Sequence, residues 1–246
     1  MTAIIKDITI GDCRLILGDC LKVMPLLGVF DAVVTDPPYG TDFNNIGYGR
    51  EGLQIKNDAN LKVCHMAMQI AQKKIVNGYM AAFYSPRVAP EFYNGFKGVY
   101  AGQIVWDKKT PGMGKGIRYQ HESVAIYKIG NAHKLVDCFS VIRCHRGDAI
   151  FNNNNKHPHQ KPIPLMKQII KTILPQKQNT GVLDFFMGSG STGVACAKLK
   201  RKFTGIELDP VFFELSCKRI AEAYKQPDLF ASVTNENKKT QQSEMF

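Results

Sequence analysis

The sequence predicts an α/β fold in which a mostly parallel sheet carries helices on both faces. Short apolar runs alternate with helix-like stretches along most of the 246 residues. Several runs are apolar without a break, as expected for strands that are buried on both faces. The composition, with 44% hydrophobic and 22% charged residues, is that of a globular protein and excludes collagen, coiled coil and wholesale disorder.

Seven strands and five helices follow from these runs. The predicted strands are 13–17, 30–35, 79–84, 99–106, 123–129, 181–185 and 203–207. The predicted helices are 19–27, 58–76, 162–174, 192–199 and 210–224. Asp58 is expected to cap its helix, and Pro162 and Pro210 suit a first helical turn. Strands that alternate with helices in this way favour a parallel sheet.

Two segments interrupt the alternation. Residues 40–57 are rich in Gly and Asn and are expected to form a mobile loop, and residues 107–156 are expected to form an insert on the ligand side of the sheet. Residues 226–246 are polar without an apolar period, which is typical of a flexible tail.

The basic charge is concentrated in one third of the chain. The net charge is +11, and residues 97–177 carry fourteen Lys and Arg against four Asp and Glu. A confined basic excess suits a nucleic acid, although a solvated basic surface would give the same count. The expected DNA contacts are Lys108, Lys109, Lys115, Arg118, Arg143 and Arg146.

Membrane, secreted and zinc proteins are not favoured by the sequence. No apolar run reaches the roughly 18 residues that a membrane span needs, and the first residues lack a secretory signal. Seven cysteines without a C-x-x-C pair indicate reduced, core-filling thiols in a cytoplasmic protein. Cys138, Cys144 and His145 lack a fourth ligand at zinc spacing, so no metal is expected.

The first motif is the run Thr35-Asp-Pro-Pro-Tyr-Gly40, which follows a predicted strand. Ligands of open α/β sheets bind at the carboxyl ends of strands, where this run falls. The prolines remove N–H donors, which leaves the Asp36 carboxylate and the Pro37 carbonyl as acceptors beside the Tyr39 ring. These groups suit a planar ring that bears an amino group, although the same residues also suit a plain turn.

The second motif is Asp184-Phe-Phe-Met-Gly-Ser-Gly-Ser-Thr-Gly193, a glycine-rich turn between a strand and a helix. Its glycines allow the backbone to approach a ligand closely. The spacing also fits a nicotinamide cofactor, and Glu207 at the end of the next strand suits ribose hydroxyls in either case. Asp184 is poorly matched to a pyrophosphate and favours a cationic ligand.

Together the motifs resemble the D-P-P-Y and F-x-G-x-G signatures of the S-adenosylmethionine-dependent DNA amino-methyltransferases. The catalytic motif comes first, as in the β class of that family. Gly18-Asp19 resembles the element whose acid contacts the cofactor adenine, and His157-Pro-His-Gln-Lys161-Pro162 resembles the H-P-x-x-K-P element near the methionyl end. Phe185 departs from the pattern, since the family usually has proline there.

The resemblance implies a Rossmann-like, circularly permuted seven-stranded methyltransferase sheet with a small target-recognition insert. It implies a catalytic half (1–106), the insert (107–156), a cofactor-binding half (157–225) and the tail (226–246). The catalytic residues that it implies are Asp36, Pro37, Pro38 and Tyr39. The S-adenosylmethionine contacts that it implies are Asp19, Cys20, Asp36, His157, Lys161, Asp184, Phe186, Gly188, Ser189, Gly190, Glu207 and Leu208.

The implied reaction is methyl transfer to an amino group of a base flipped out of double-stranded DNA. In this family, aspartate at the first motif position goes mainly with N6 of adenine and serine with N4 of cytosine, so Asp36 favours adenine. Four alternatives stay open: an N4-cytosine enzyme, an RNA adenine methyltransferase, a nicotinamide-dependent oxidoreductase and a non-catalytic DNA-binding module.

Two protein partners are also suggested. Many relatives dimerise, so a homodimer is one expectation. The run Gln226-Pro-Asp-Leu-Phe230 resembles the short peptide by which bacterial replication proteins bind the sliding clamp, although a helix end packed on the body would explain it too. The sequence does not predict a recognition site in DNA.

Overall fold

The computed structural model describes residues 2–38, 61–111, 116–145, 160–174 and 181–225. Within these ranges, nine strands form one sheet. The strands are β1 (Ile4–Ile10), β2 (Cys13–Gly18), β3 (Phe30–Thr35), β4 (Ile75–Tyr84), β5 (Val99–Asp107), β6 (His121–Ile129), β7 (Val141–Arg143), β8 (Gly181–Asp184) and β9 (Lys202–Glu207). The helices are α1 (Cys20–Val23), α2 (Lys62–Gln72), α3 (Ala89–Gly95), α4 (Ile163–Ile173), α5 (Ser191–Lys198) and α6 (Pro210–Lys225), with short 3₁₀ segments at Met24–Leu26 and Pro86–Val88.

The strands lie in the order β1-β2-β9-β8-β3-β4-β6-β5-β7. The adjacent strands β2, β9, β8, β3 and β4 are all parallel to one another. Strand β6 is antiparallel to both of its neighbours, β4 and β5. The seven predicted strands are therefore adjacent, and β1 and β7 extend the sheet at its two edges. The predicted Rossmann-like α/β fold is confirmed. The chain leaves β8 and β3 toward opposite edges, so a topological switch point lies between them.

Apolar layers cover both faces of the sheet. On β3, Ala32 and Val34 join the layer that contains α4, α5 and α6, whereas Val33 joins the layer that contains α1, α2 and α3. All three side chains are fully buried. Because successive strand residues point to opposite faces, burial on both faces requires the unbroken apolar run that identified this strand.

The helix predicted over 58–76 is shorter in the structure. Its described part, α2, ends at Gln72, because Ile75 already pairs with Phe30 and begins β4. Asp58 lies outside the described residues. Neither β1, β7 nor α3 was predicted: β1 is a largely exposed edge strand, and β7 and α3 have only three and seven residues.

The segment 107–156, which is expected to form the insert, contributes the strand predicted over 123–129 to the sheet. Residues 121–129, which lie within 107–156, form β6 between β4 and β5 in the body of the sheet. The segment is interrupted by a central strand, since Val124, Ala125 and Ile126 are buried in the two apolar layers. No helix among the described residues is long and apolar enough to cross a membrane.

Candidate functional site

Four neighbouring parallel strands bring acidic side chains to their carboxyl ends, and we call this rim of the sheet the acidic edge. Asp19 follows β2, Glu207 ends β9, Asp184 ends β8 and Asp36 follows β3. The hydroxyl of Thr35 donates to Oδ1 of Asp184 at 2.9 Å and joins the ends of β3 and β8. The acids therefore flank the switch point, which is where open α/β sheets bind their ligands.

Asp36 belongs to a series of ion-paired side chains that are buried or partly buried. Its Oδ2 lies 2.5 Å from Nζ of Lys161, which precedes α4. The same Nζ lies 3.1 Å from Oε2 of Glu122 on β6, and Oε1 of Glu122 lies 3.3 Å from Nζ of Lys108, which follows β5. We call Asp36, Lys161, Glu122 and Lys108 the charge chain.

The ammonium of Lys161 lies in an aromatic and acidic enclosure. The side chain is 5% exposed, and Nζ lies 5.0 Å from the ring centroid of Phe83 and 6.0 Å from the ring centroid of Trp106. Burial alone lowers the pKa of Lys161, but the Asp36 and Glu122 carboxylates outweigh it and raise the pKa above its ordinary value. Lys161 is therefore charged at neutral pH. Its contact with the cofactor stays a prediction.

Asp184 is satisfied by neutral donors. Its Oδ1 accepts from Thr35 Oγ1 and from the Phe186 N–H at 3.2 Å, and its Oδ2 accepts from Thr192 Oγ1 at 2.6 Å. Burial raises the pKa of Asp184 to about 7, although these three hydrogen bonds act in the opposite direction. The carboxyl group organises the turn after β8, and its attraction for a cationic ligand stays a prediction.

Residues 185–190, which we call the glycine turn, connect β8 to α5. Gly188 and Gly190 have φ values of 52° and 77°, in the left-handed region that glycine adopts without strain. A Cβ at Gly190 would lie 2.8 Å from a side-chain carbon of α6. Arg219 of α6 donates to the carbonyl of Ser189. The turn is thus fixed against α6.

Glu207 connects the end of β9 to the glycine turn. Its Oε2 accepts from the Gly188 N–H at 2.7 Å, and its Oε1 accepts from the N–H groups of Leu208 and Asp209 at 2.9 and 2.8 Å. Burial raises the pKa of Glu207, while the three N–H donors lower it. The carboxylate is an oriented acceptor beside the turn, which is what ribose hydroxyls require.

Three further predicted cofactor residues, Asp19, Cys20 and Phe186, lie near the same edge. Oδ1 of Asp19 accepts from the Leu21 N–H at 3.0 Å and caps α1. Cys20 is buried, and burial raises the pKa of its thiol to about 12, so that it stays neutral. Phe186 is half-buried against Phe185, and Phe185 fills the core at the position where the family usually has proline.

Three of the predicted DNA-contacting residues are exposed on the structure: Lys109, Arg118 and Arg143. Nε of Arg143 lies 3.5 Å from Oδ2 of Asp107. Lys108, which was also predicted to contact DNA, is 7% exposed, and its ammonium pairs with Glu122 inside the protein, so the structure does not support that contact.

Several predictions lie outside the described residues. They concern Tyr39, Lys115, Arg146 and His157, the loop 40–57 and the run from Gln226 to Phe230.

Cysteines and metals give a simpler result. Six of the seven cysteines are buried, which confirms their core-filling role, and Cys138 is exposed. No group of three or more His, Cys, Asp or Glu within the described ranges could hold a metal ion.

The structure adds residues that the sequence analysis missed. Thr35 and Thr192 donate to Asp184, and each lies within one of the two motifs, so position could have identified them. Glu122 and Arg219 lie far from either motif in the chain. Only the pairing of β5 with β6 and the packing of α6 bring them to the site.

This sheet order, with an acidic edge and a glycine turn at the switch point, defines a Rossmann-like methyltransferase. The M1.HpyAVI–SAM complex superposes with a TM-score of 0.59 and 26% identity, covering 84% of this chain and 99% of that one. The cytosine-N4-specific PvuII DNA methyltransferase superposes with a TM-score of 0.63 at 15% identity, covering 87% and 91%, and supports the fold alone.

Comparison of the sequence identifies the family to which the chain belongs. The family model described as DNA methylase, for N6 and N4 enzymes, matches residues 30–218. The chain therefore belongs to the N6/N4 family of S-adenosylmethionine-dependent DNA amino-methyltransferases. It is also 27% identical over 231 residues to the Type II methyltransferase M2.LlaDCHI of Lactococcus lactis subsp. cremoris, covering 77% of this chain and 81% of the relative.

Proposed function

We propose that the protein is a site-specific DNA methyltransferase that moves a methyl group from S-adenosylmethionine to N6 of a flipped adenine in duplex DNA. The observation that carries this proposal is the position of Asp36, which an ion pair with buried Lys161 holds at the switch point beside the glycine turn. The Type II name of M2.LlaDCHI supports a place in restriction and modification.

The acceptors on the glycine-turn side fit the cofactor. Asp19, Asp184 and Glu207 are carboxyl groups, so this side favours a cationic ligand with hydroxyl and amino groups. A nicotinamide cofactor would place its pyrophosphate at the first turn of α5, where Oδ2 of Asp184 already accepts from Thr192. The oxidoreductase alternative is therefore disfavoured.

The reaction asks the protein to activate a poor nucleophile. The lone pair of a base amino group is delocalised into the ring, and acceptance of its N–H bonds by Asp36 and the Pro37 carbonyl favours a tetrahedral nitrogen. When bound, S-adenosylmethionine supplies an electrophilic methyl group. The lone pair forms the new N–C bond, the electrons of the broken C–S bond stay on sulfur, and one N–H proton is released.

The residues of the D-P-P-Y motif divide this work. Pro37 is buried, and Asp36 is partly exposed directly after β3, with its Oδ2 paired with Lys161. In the proposal, Tyr39 stacks on the flipped base and Asp36 accepts one N–H. Catalysis then consists of positioning and of electrostatic complementarity, without a covalent enzyme intermediate.

Charge and family support DNA as the substrate. Lys109, Arg118 and Arg143 are exposed basic residues in the part of the chain that holds the basic excess. Lys109 and Arg118 follow β5, and Arg143 lies on β7, which pairs with β5. We propose that they contact phosphates, whose neutralisation releases counterions. A homodimer, clamp binding through Gln226 to Phe230, and a cytoplasmic location are further proposals, and a pulldown with Leu229→Ala tests the clamp contact.

Transfer of a tritiated methyl group tests the function. The full chain is incubated with labelled S-adenosylmethionine and unmethylated genomic DNA, or with RNA in parallel, and the nucleosides are separated. We expect label in N6-methyladenine from DNA. Label in N4-methylcytosine would overturn the choice of base, label in RNA alone would overturn the choice of polymer, and no label in any product would overturn the enzymatic function.

A further inference from the structure

The charge chain connects four separate parts of the fold. Asp36 follows β3, Lys161 precedes α4, Glu122 lies on β6 and Lys108 follows β5. The side chains of Lys161, Lys108 and Glu122 are only 5%, 9% and 16% exposed. Their charges therefore interact through the protein interior, where water screens them weakly.

Glu122 occupies the centre of this arrangement. Each of its carboxylate oxygens faces a different ammonium, Lys161 at 3.1 Å and Lys108 at 3.3 Å. Its own position is fixed by strand pairing, since it lies opposite Trp106 in the register of β5 and β6. Glu122 thus places Lys161 relative to the sheet, and Lys161 in turn places the carboxylate of Asp36.

We propose that Glu122 is a positioning residue for methyl transfer, which holds Lys161 against Asp36 and so fixes the acceptor that the target amine meets. This inference rests on the proposed function and deepens it. Lys108 extends the same contact to the first residue after β5, from which the basic segment of the chain continues. The orientation of Asp36 is thereby tied to the conformation of that segment.

The charge balance of the charge chain allows an effect of Glu122 on the position of Lys161 to be separated from its effect on stability. The four groups sum to zero when both acids are ionised and both lysines are protonated. Glu122→Gln leaves the charge chain with one excess positive charge, which costs stability. Glu122→Gln combined with Lys108→Met restores the balance, because Asp36 and Lys161 remain as a neutral pair, but it does not restore the carboxylate that holds Lys161.

The experiment measures methyl transfer from tritiated S-adenosylmethionine to unmethylated genomic DNA, together with thermal unfolding. We compare the wild type, Glu122→Gln, the double variant, and Glu214→Gln as a control that breaks an exposed ion pair with Lys6. We expect Glu122→Gln to lower kcat about 30-fold, in the range known for small misplacements of reacting groups, with KM for S-adenosylmethionine within threefold. We expect the double variant to regain thermal stability but not kcat.

The pH profile gives a second readout. Among the described residues, the charged and titratable groups near Lys161 include Asp36 from the end of β3, Glu122 from β6, Lys108 from the end of β5 and, beyond Asp36, Asp184 from β8. Glu122 raises the pKa of Lys161, so the replacement of the Glu122 carboxylate by a neutral amide lowers the pKa of Lys161. The alkaline limb of kcat then moves to lower pH in Glu122→Gln and stays in place in Glu214→Gln.

Each outcome decides the inference. A kcat for folded Glu122→Gln within twofold of the wild type would overturn it, and so would recovery of kcat in the double variant, because the role would then be charge balance alone. Wild-type activity in either case leaves the proposed function standing. A wild type that transfers no methyl group would overturn the proposed function and this inference with it.

Discussion

The two sides of the acidic edge satisfy their carboxyl groups in opposite ways. On the glycine-turn side, Asp184 and Glu207 accept from hydroxyl and backbone N–H donors, which carry no net charge. On the catalytic side, Asp36 and Glu122 face the ammonium groups of Lys161 and Lys108. The same residue type is thus held by dipoles on one side and by full charges on the other.

The difference indicates what each side can bind. Carboxyl groups held by neutral donors have no ammonium group to compensate the charge that forms when they ionise, so a cationic ligand is favoured on the glycine-turn side. Carboxylates paired with ammonium groups are fixed in direction, so the catalytic side suits the orientation of a neutral amine. In the proposed function, one edge separates the binding of the methyl donor from the activation of the acceptor.

Removal of the Asp36 carboxylate is expected to have the largest effect, a loss of methyl transfer. Asp36→Ala should lower methyl transfer at least a thousandfold, equivalent to about 4 kcal/mol of transition-state stabilisation, because the amine loses its acceptor. Binding of S-adenosylmethionine, measured by calorimetry, should persist. Asp7→Ala, which breaks an exposed pair with Arg14, is the control. Transfer by Asp36→Ala within tenfold of the wild type would contradict the role assigned to Asp36.

The glycine-turn side should show the opposite pH response to an ion-paired acid. The pKa of Asp184 is raised to about 7 by burial, so the folded state holds this proton while the unfolded state has released it. The free energy of unfolding therefore decreases as pH rises from about 4 to 7, by up to about 4 kcal/mol from this group. Asp184→Asn should abolish that component in urea unfolding.

The control for this experiment is Asp12→Asn, which removes an exposed aspartate. A wild type and an Asp184→Asn variant whose stabilities change in parallel over this pH range would show that Asp184 is ionised in the folded protein.

The rigidity of the glycine turn is tested by a methyl group. Gly190→Ala should lower the free energy of unfolding by about 2 kcal/mol, because φ of 77° is strained for alanine and the added Cβ meets α6 at 2.8 Å. Gly28→Ala, where no atom lies within 4 Å of the added Cβ, should change it by less than about 0.5 kcal/mol. Equal effects at the two sites would show that the turn is not constrained by α6.

The smallest effect is expected at Glu207. Glu207→Gln should raise the Kd for S-adenosylmethionine about tenfold, near 1.4 kcal/mol, because the amide replaces a charged acceptor. At saturating cofactor, methyl transfer should stay within threefold of the wild type. Exposed Glu91→Gln is the matched control. A loss in the transfer rate without a change in Kd would move Glu207 from the binding side to the catalytic side.

Local sequence was sufficient for the central strands and the motif positions. The strand Phe30–Thr35 was predicted at both ends, and its unbroken apolar run places Asp36 directly at the carboxyl end. Weak patterns failed at the edges, where β1 alternates on a largely exposed surface and β7 has three residues. Glu122 gave no signal, because its role depends on the pairing of two distant strands.

The sequence by itself determined which side chains stand at the ends of the strands, since strand identity and motif order follow from local apolar pattern and spacing. Only the tertiary structure decided which of those acids meet ammonium groups and which meet neutral donors. The physical reason is that ionisation and orientation in a protein interior depend on distances of a few ångströms between groups, and those distances are set by strand order and register rather than by position along the chain.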